Sequence, residues 1–282
     1  HILPMILASF SAFMSTVDIK LFREYREKGL LTGAFSQYLS EDVISELIDD
    51  PSRLALGGEE RELTAIFTDI KGFSTISEKL APLELVSLLN IYLTTMSDIV
   101  LENKGTIDKY EGDAIIGFFG APTEMKDHAV KACISALKMR NIERILSKQL
   151  LEEGKTPSPI MTRIGINTGP MVFGNMGTSK KMNYTIMGSD VNLAARLEGG
   201  NKQYETQILI SGATKKYIGR EFVTRELDKV RVVGINQPVT IHELCNFRSD
   251  ITEDDKKGYA NYDKGMELFR EKKWAEAEES FS

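Results

Sequence analysis

Cysteine is nearly absent. Cys133 and Cys245 are the only two in 282 residues, too few for a disulfide framework. Cys245 has His242 three residues before it, which is at most half of a zinc site, so a reducing compartment fits this usage. Positive charge is also short. The chain carries 35 Lys and Arg against 41 Asp and Glu, a formal net charge of −6, and a nucleic-acid partner would normally require a basic stripe. No nucleic acid is therefore expected as a partner. Charge is missing altogether from residues 1–17, which hold no Asp, Glu, Lys or Arg, whereas Lys20, Arg23, Arg26 and Lys28 follow closely. An apolar run with basic residues just beyond it matches the cytoplasmic end of a transmembrane helix, and this run is at the lower limit for a span. No basic residue precedes it, which makes a secretory signal the poorer reading. The expectation is a membrane stub over 1–17, with a buried helix as the alternative. The stub would place the remainder on the cytoplasmic face of a cell membrane, taken to be bacterial.

What is present begins with a segment over 18–58 whose helical rhythm over 18–49 is broken by Gly29 and Gly33, restarted at about 41–49 behind the capping Ser40 and ended by Asp50-Pro51. This segment reads as a transducer or as part of a dimer interface. From Leu63 the pattern changes. Residues 63–68 read as a strand leading to Asp69. Residues 83–100 form a strongly apolar helix, opened by Pro82 and closed by Asn103-Lys104-Gly105. Residues 106–110 and 114–119 follow as two strands around a tight Glu-Gly-Asp turn. In such a βαββ unit the first strand lies beside the hairpin, which would bring Asp69 and Asp113 within reach of one pair of cations. Magnesium or manganese needs hard oxygen ligands, and two such ions can clamp the attacking and leaving oxygens of a phosphoryl displacement.

The turn from Ile70 through Gly72, Phe73 and Ser74 could form a nest of backbone N–H groups for a triphosphate at the start of a helix. Asn192 and Arg196 are four residues apart within a helical stretch, so they share a face. Taken singly, each of these residues has an ordinary structural reading as a turn, a cap or a solvated charge.

Their order along the chain is distinctive. FTDIKGFS, KYEGDAIIGFFGAP, RIGINTGPMVFGNMG, YTIMGSDVNLAARLE and PVTIHEL, spread from Leu63 to about Leu244, resemble the catalytic domain of class III nucleotide cyclases. The resemblance implies an α+β fold, a ferredoxin-like or palm βαββαβ core with additional strands, spanning about residues 59–247. It implies a homodimer with sites shared across the interface. Asp69 and Asp113 then match the two metal aspartates, Lys109 and Thr185 the adenine-reading pair, and Asn192 and Arg196 the ribose-orienting and transition-state residues. The implied activity is conversion of ATP to cyclic AMP and pyrophosphate with two Mg2+ or Mn2+ ions.

Residue chemistry agrees. Adenine offers N1 as an acceptor and its N6 amine as a donor, so an ammonium and a hydroxyl complement it. Guanine would turn N1–H toward Lys109, and each unmet buried donor costs about 1–3 kcal/mol, so ATP should win by roughly ten- to a hundredfold. Because Thr185 can donate or accept, Lys109 is expected to be the main discriminator. The Lys/Thr pair resembles the subgroup that includes bicarbonate-responsive adenylate cyclases. One departure stands out: Val233 occupies the late-hairpin position where relatives usually have a triphosphate-holding lysine. Lys180, Lys181, Lys229 or Arg231 could supply that charge; otherwise a raised KM for ATP follows. Guanylate cyclase activity and a silent nucleotide-binding regulatory domain are the alternatives.

Residues 248–257 read as a polar linker. Within 258–282, Tyr262, Gly265, Leu268, Trp274, Ala277 and Phe281 fall at spacings resembling part of a tetratricopeptide repeat, a surface for a protein partner.

Overall fold

The computed structural model describes residues 57–178, 181–231 and 238–281. The expected membrane stub over 1–17, nearly all of the helical segment over 18–58, Lys180 and Val233 lie outside the described residues.

The first strand, β1 (Gly57–Ile70), is longer than its apolar stretch. Its polar first half pairs residue by residue with the far half of β4 (Thr162–Thr178), from Gly57 opposite Asn175 to Glu62 opposite Pro170, and the pairing runs on to Ile70 opposite Thr162. A short helix α1 (Phe73–Ser77) and the long α2 (Pro82–Glu102) follow. Pro82 opens α2, and the Glu84 carboxylate accepts from the Ala81 N–H at 2.9 Å, satisfying one of the orphan donors at the helix start. β2 (Thr106–Glu111) and β3 (Ala114–Phe119) form the expected hairpin, and β3 lies antiparallel to β1, with Thr68 opposite Ile115. After α3 (His128–Glu152) and β4 come β5 (Lys181–Met187), α4 (Ser189–Tyr204), β6 (Ile208–Ser211), α5 (Gly212–Tyr217), β7 (Phe222–Val230) and β8 (Val239–Phe247).

One sheet results, ordered β2-β3-β1-β4-β6-β8-β7, with β5 paired to β4. The β2-β3-β1-β4 part is the βαββαβ core, and the later strands extend it. β4 and β6 run parallel while the other pairs are antiparallel, so the sheet is mixed. Both faces of β1 are covered, which explains the unbroken run of buried residues from Leu63 to Ile66. On one side Ile66 and Ile70 pack with Leu88, Tyr92 and Met96 of α2 and with Ala132 and Cys133 of α3. On the other, Leu63 and Ala65 pack with Val191 and Ala194 of α4.

Among the described residues one helix, α2, is long and apolar enough to cross a membrane. Its inner face of Leu88, Tyr92, Met96, Ile99 and Val100 is committed to the core.

The stretch expected as a linker is largely helical. A 3-10 turn (Arg248–Asp250) leads directly into α6 (Glu253–Arg270), whose start is fixed by Thr252: its hydroxyl accepts from the Asp255 N–H at 3.1 Å while the Asp255 carboxylate accepts from the Thr252 N–H at 2.8 Å. The polar composition of 248–257 therefore belongs to a helix start. α6 turns back into α7 (Trp274–Phe281), and the Tyr262 and Phe281 rings meet at 5.5 Å beside Gly265. This hairpin rests on β7: Tyr262 donates to the Glu226 carbonyl at 3.0 Å, and Arg270 pairs with the Glu226 carboxylate at 2.6 Å.

Candidate active site

Asp69 stands next to last in β1, and Asp113 follows Gly112, whose φ of 66° provides the left-handed turn of the hairpin. The Ile70 N–H donates to Asp113 Oδ2 at 2.9 Å, which ties the end of β1 to the hairpin tip. Sequence reasoning expected these two carboxylates to meet, and the strand pairing brings them together. Burial raises the Asp113 pKa, opposed by its bond from Ile70 and aggravated by the nearby Asp69 charge.

The sequence reading passed over the groups that hold this pair. Arg163 lies opposite Asp69 in the β1–β4 register and pairs with the Asp69 carboxylate. Its Nε is also 3.1 Å from Glu198 Oε1 on α4. Burial first, then the Asp69 charge, pushes Glu198 up to about 7. A guanidinium thus already supplies positive charge where the carboxylates crowd. Among the described residues no group of three or more His, Cys, Asp or Glu could hold a metal ion. Two carboxylates suffice for magnesium or manganese, which typically keep waters and take further ligands from substrate phosphates. The donor set of Asp69 and Asp113 therefore fits a metal pair of the expected kind.

The turn expected to offer backbone N–H groups to a triphosphate is a left-handed turn into a short helix. Gly72 takes φ 72°, ψ 25° and precedes α1, and its carbonyl accepts from the Thr75 N–H at 3.0 Å. No neighbour lies within 4 Å of where a Gly72 Cβ would sit, so backbone conformation rather than crowding requires glycine there. Phe73 and Ser74 form the first turn of α1. Ile70 differs from the expectation, because its N–H is engaged by Asp113 and does not join the nest.

Lys109 and Thr185 converge through a third residue. The β2–β3 register slips between Ile107 and Lys109, a bulge at Asp108. Asp108 reaches across to β5, where Thr185 Oγ1 donates to its Oδ2 at 2.7 Å, and Lys109 Nζ lies 3.9 Å from the same oxygen. The Asp108 side chain is only 2% exposed and that of Lys109 43%. Buried carboxylate, buried hydroxyl and accessible ammonium form one cluster on two neighbouring strand edges.

Asn192 and Arg196 share the exposed face of α4, while Val191, Leu193, Ala194 and Leu197 are buried. The opposite face sits on β4 unusually closely. A Cβ on Gly165 would lie 2.1 Å from the Glu198 nitrogen and 2.3 Å from the Ala194 carbonyl oxygen, so only glycine admits this helix. Asn167 fixes the start of α4 by donating to the Asp190 carbonyl at 2.9 Å and to its carboxylate at 3.0 Å. One chain thus assembles the carboxylate pair and the Lys109–Asp108–Thr185 cluster, and directs the Asn192/Arg196 face outward.

Comparison with known proteins places this arrangement. The family model for the adenylate and guanylate cyclase catalytic domain matches residues 58–246. Adenylate cyclase 1 of Rhizobium meliloti is 33% identical over 210 residues, 74% of this chain and 31% of its own length. The adenylate cyclase of Anabaena cylindrica is 36% identical over 189 residues, 65% of this chain and 37% of that protein. The chain thus spans about a third of the length of these curated relatives. Among solved structures, the adenylyl cyclase CyaB from P. aeruginosa aligns with a TM-score of 0.64 at 38% identity, covering 70% of this chain and all of that one. The guanylyl cyclase Cya2 aligns with a TM-score of 0.62 at 35% identity, covering 70% and 98%. By sequence, fold and the carboxylate pair at the end of β1, residues 58–246 belong to the class III adenylate/guanylate cyclase family.

Proposed function

We propose that this nucleotidyl cyclase is an adenylate cyclase, forming cyclic AMP and pyrophosphate from ATP by attack of the ribose 3′-hydroxyl on the α-phosphate. The observation that carries the choice of base is the Lys109–Asp108–Thr185 cluster. The Lys109 ammonium can only donate, which suits adenine N1 and opposes guanine N1–H. Likeness to a guanylyl cyclase structure keeps GTP as the second reading, and Lys109 disfavours it.

In this reading Asp69 and Asp113 hold two Mg2+ or Mn2+ ions, which would neutralise the phosphates and polarise the reacting oxygens. Gly72, Phe73 and Ser74 offer backbone N–H groups to the triphosphate, and Ile70 sets the chain direction into that turn. Asn192 orients the ribose. The Arg196 fork stabilises charge gathering on the α-phosphate as pyrophosphate departs. The outward face carrying Asn192 and Arg196 supports a homodimer in which each site takes its aspartates from one chain and Lys109, Thr185, Asn192 and Arg196 from its partner. The apolar residues 1–17 would tether the dimer to the cytoplasmic side of a membrane, and the α6–α7 hairpin would offer a surface to a protein partner.

The test is cyclic nucleotide formation by the purified chain with ATP or GTP and Mg2+ or Mn2+, over a range of protein concentrations. Cyclic AMP, with specific activity rising as protein concentration rises, is the expected outcome. Preferential cyclic GMP formation would select the second reading, and metal-dependent ATP binding without product would select a regulatory domain.

A further inference from the structure

The bulge at Asp108 places a carboxylate behind the base-reading pair, and its chemistry constrains Thr185. A threonine hydroxyl has one proton to donate and two lone pairs to accept with. Thr185 Oγ1 lies 2.7 Å from Asp108 Oδ2 and donates to it. Burial raises the Asp108 pKa, while the bond from Thr185 and the Lys109 ammonium, 3.9 Å from that oxygen, pull it back down; once ionised, the carboxylate has no proton to give back. With Asp108 ionised, the Thr185 proton is committed inward along the 2.7 Å bond, leaving only lone pairs for a base.

We propose that Asp108 is a specificity-determining positioning residue, which converts Thr185 from an ambivalent hydroxyl into a fixed acceptor and so makes it read the N6 amine of adenine. Guanine carries the acceptor O6 at that position, and two acceptors facing each other without a proton between them are mismatched. Base choice is then enforced twice, by Lys109 against guanine N1–H and by Thr185 against guanine O6. Burying a carboxylate is costly unless its oxygens are bonded, and Asp108 is almost fully enclosed against the Thr185 hydroxyl and the Ile186 N–H. The packing of β2 against β5 does not need such a group; the polarity of Thr185 does. Asp108 itself does not reach the base and acts through its neighbour.

The inference rests on the adenylate cyclase reading, so the experiment separates the two. Dissociation constants for 3′-deoxy-ATP and 3′-deoxy-GTP, which cannot cyclise, are measured with Mn2+ on the full chain, so base preference is read without turnover. The native protein should prefer the adenine analogue. Asp108→Asn, whose amide can accept from or donate to Thr185, should lower that preference about tenfold. In a Thr185→Val background the same change should have no further effect on the ratio, although it would still disturb a merely structural contact. Weaker binding of both analogues with an unchanged ratio overturns the proposal while leaving the adenylate reading intact. A native protein that prefers the guanine analogue overturns both. If Asp108→Asn loses cooperative thermal unfolding, Thr185→Ser and Thr185→Val carry the test with Asp108 intact. Serine, which keeps a hydroxyl for Asp108, should retain the native ratio, and valine should lower it about tenfold; equal ratios in both overturn the proposal.

Discussion

Burial pushes the Glu143 carboxyl from the usual 4.5 up to about 7, even though it accepts from the Thr162 N–H at 2.7 Å. Between those two values the folded chain keeps a proton that the unfolded chain has released. Stability therefore falls as pH rises through this window, by up to about 3 kcal/mol. Glu143→Gln keeps an acceptor for Thr162 and cannot ionise. Its melting temperature should gain on that of the native protein by several degrees between pH 5 and pH 8. A difference that stays flat across this range would mean that Glu143 is ionised throughout. At the same scale, legibility divides by how far a partner lies along the chain. Asp69, Asp113, Lys109 and Thr185 stand out by residue type within recognisable motifs. Arg163 and Asp108 do not, because their roles exist only once β4 lies in register with β1 and β5 comes beside the β2 bulge. Asp108 is the immediate neighbour of a residue singled out from sequence, yet nothing local announces that it faces Thr185.

Helix α4 is positioned by what β4 lacks. Gly165 leaves room for the backbone of Ala194 and Glu198, and at Gly169 a Cβ would come within 2.5 Å of the Asp190 carboxyl. Gly165→Ala should push the helix off the sheet and lower stability by at least 1–3 kcal/mol, roughly the usual range for overpacking. Cyclase activity should fall with it, because Asn192 and Arg196 ride on the displaced element; denaturant unfolding together with an activity assay checks both. A native unfolding midpoint in this variant would show that the contact relaxes freely. Apolar runs and caps made α2, β2 and β3 readable nearly residue for residue. The start of β1 is not legible, because Gly57–Glu62 is polar and is strand only where β4 offers it a partner. The start of α6 was within reach of sequence reasoning, since Thr252 and Asp255 have the spacing of a reciprocal cap, but the polarity of the stretch suggested a linker instead.

For the whole molecule, the proposed sharing of a site between two copies makes a prediction no single chain can satisfy. Asp113→Asn and Arg196→Ala proteins should each be nearly inactive alone. Mixed, they form a heterodimer with one intact site, and if subunits exchange freely the mixture should recover about a quarter of native activity, from half the dimers with half their sites. Absence of recovery despite demonstrated exchange would place both functional groups in one chain. The sheet also places the two groups of candidate site residues in regions of unequal bonding. β1 and β4, which carry Asp69 and Arg163, are bonded along both edges, whereas β2 and β5, which carry Lys109 and Thr185, each have one bonded neighbour among the described strands. Central amides should exchange with solvent only through global opening, and those of the outer strands through local fraying. Of the proposed metal pair, Asp69 thereby stands on the most fully bonded part of the sheet, while Asp113 stands at the tip of the outer hairpin. If Lys109 and Thr185 read the base as proposed, selection rests on a margin that a bound nucleotide would help to order, and arrival of the correct base should be recorded as slowed deuterium uptake along β2 and β5 while β4 registers nothing.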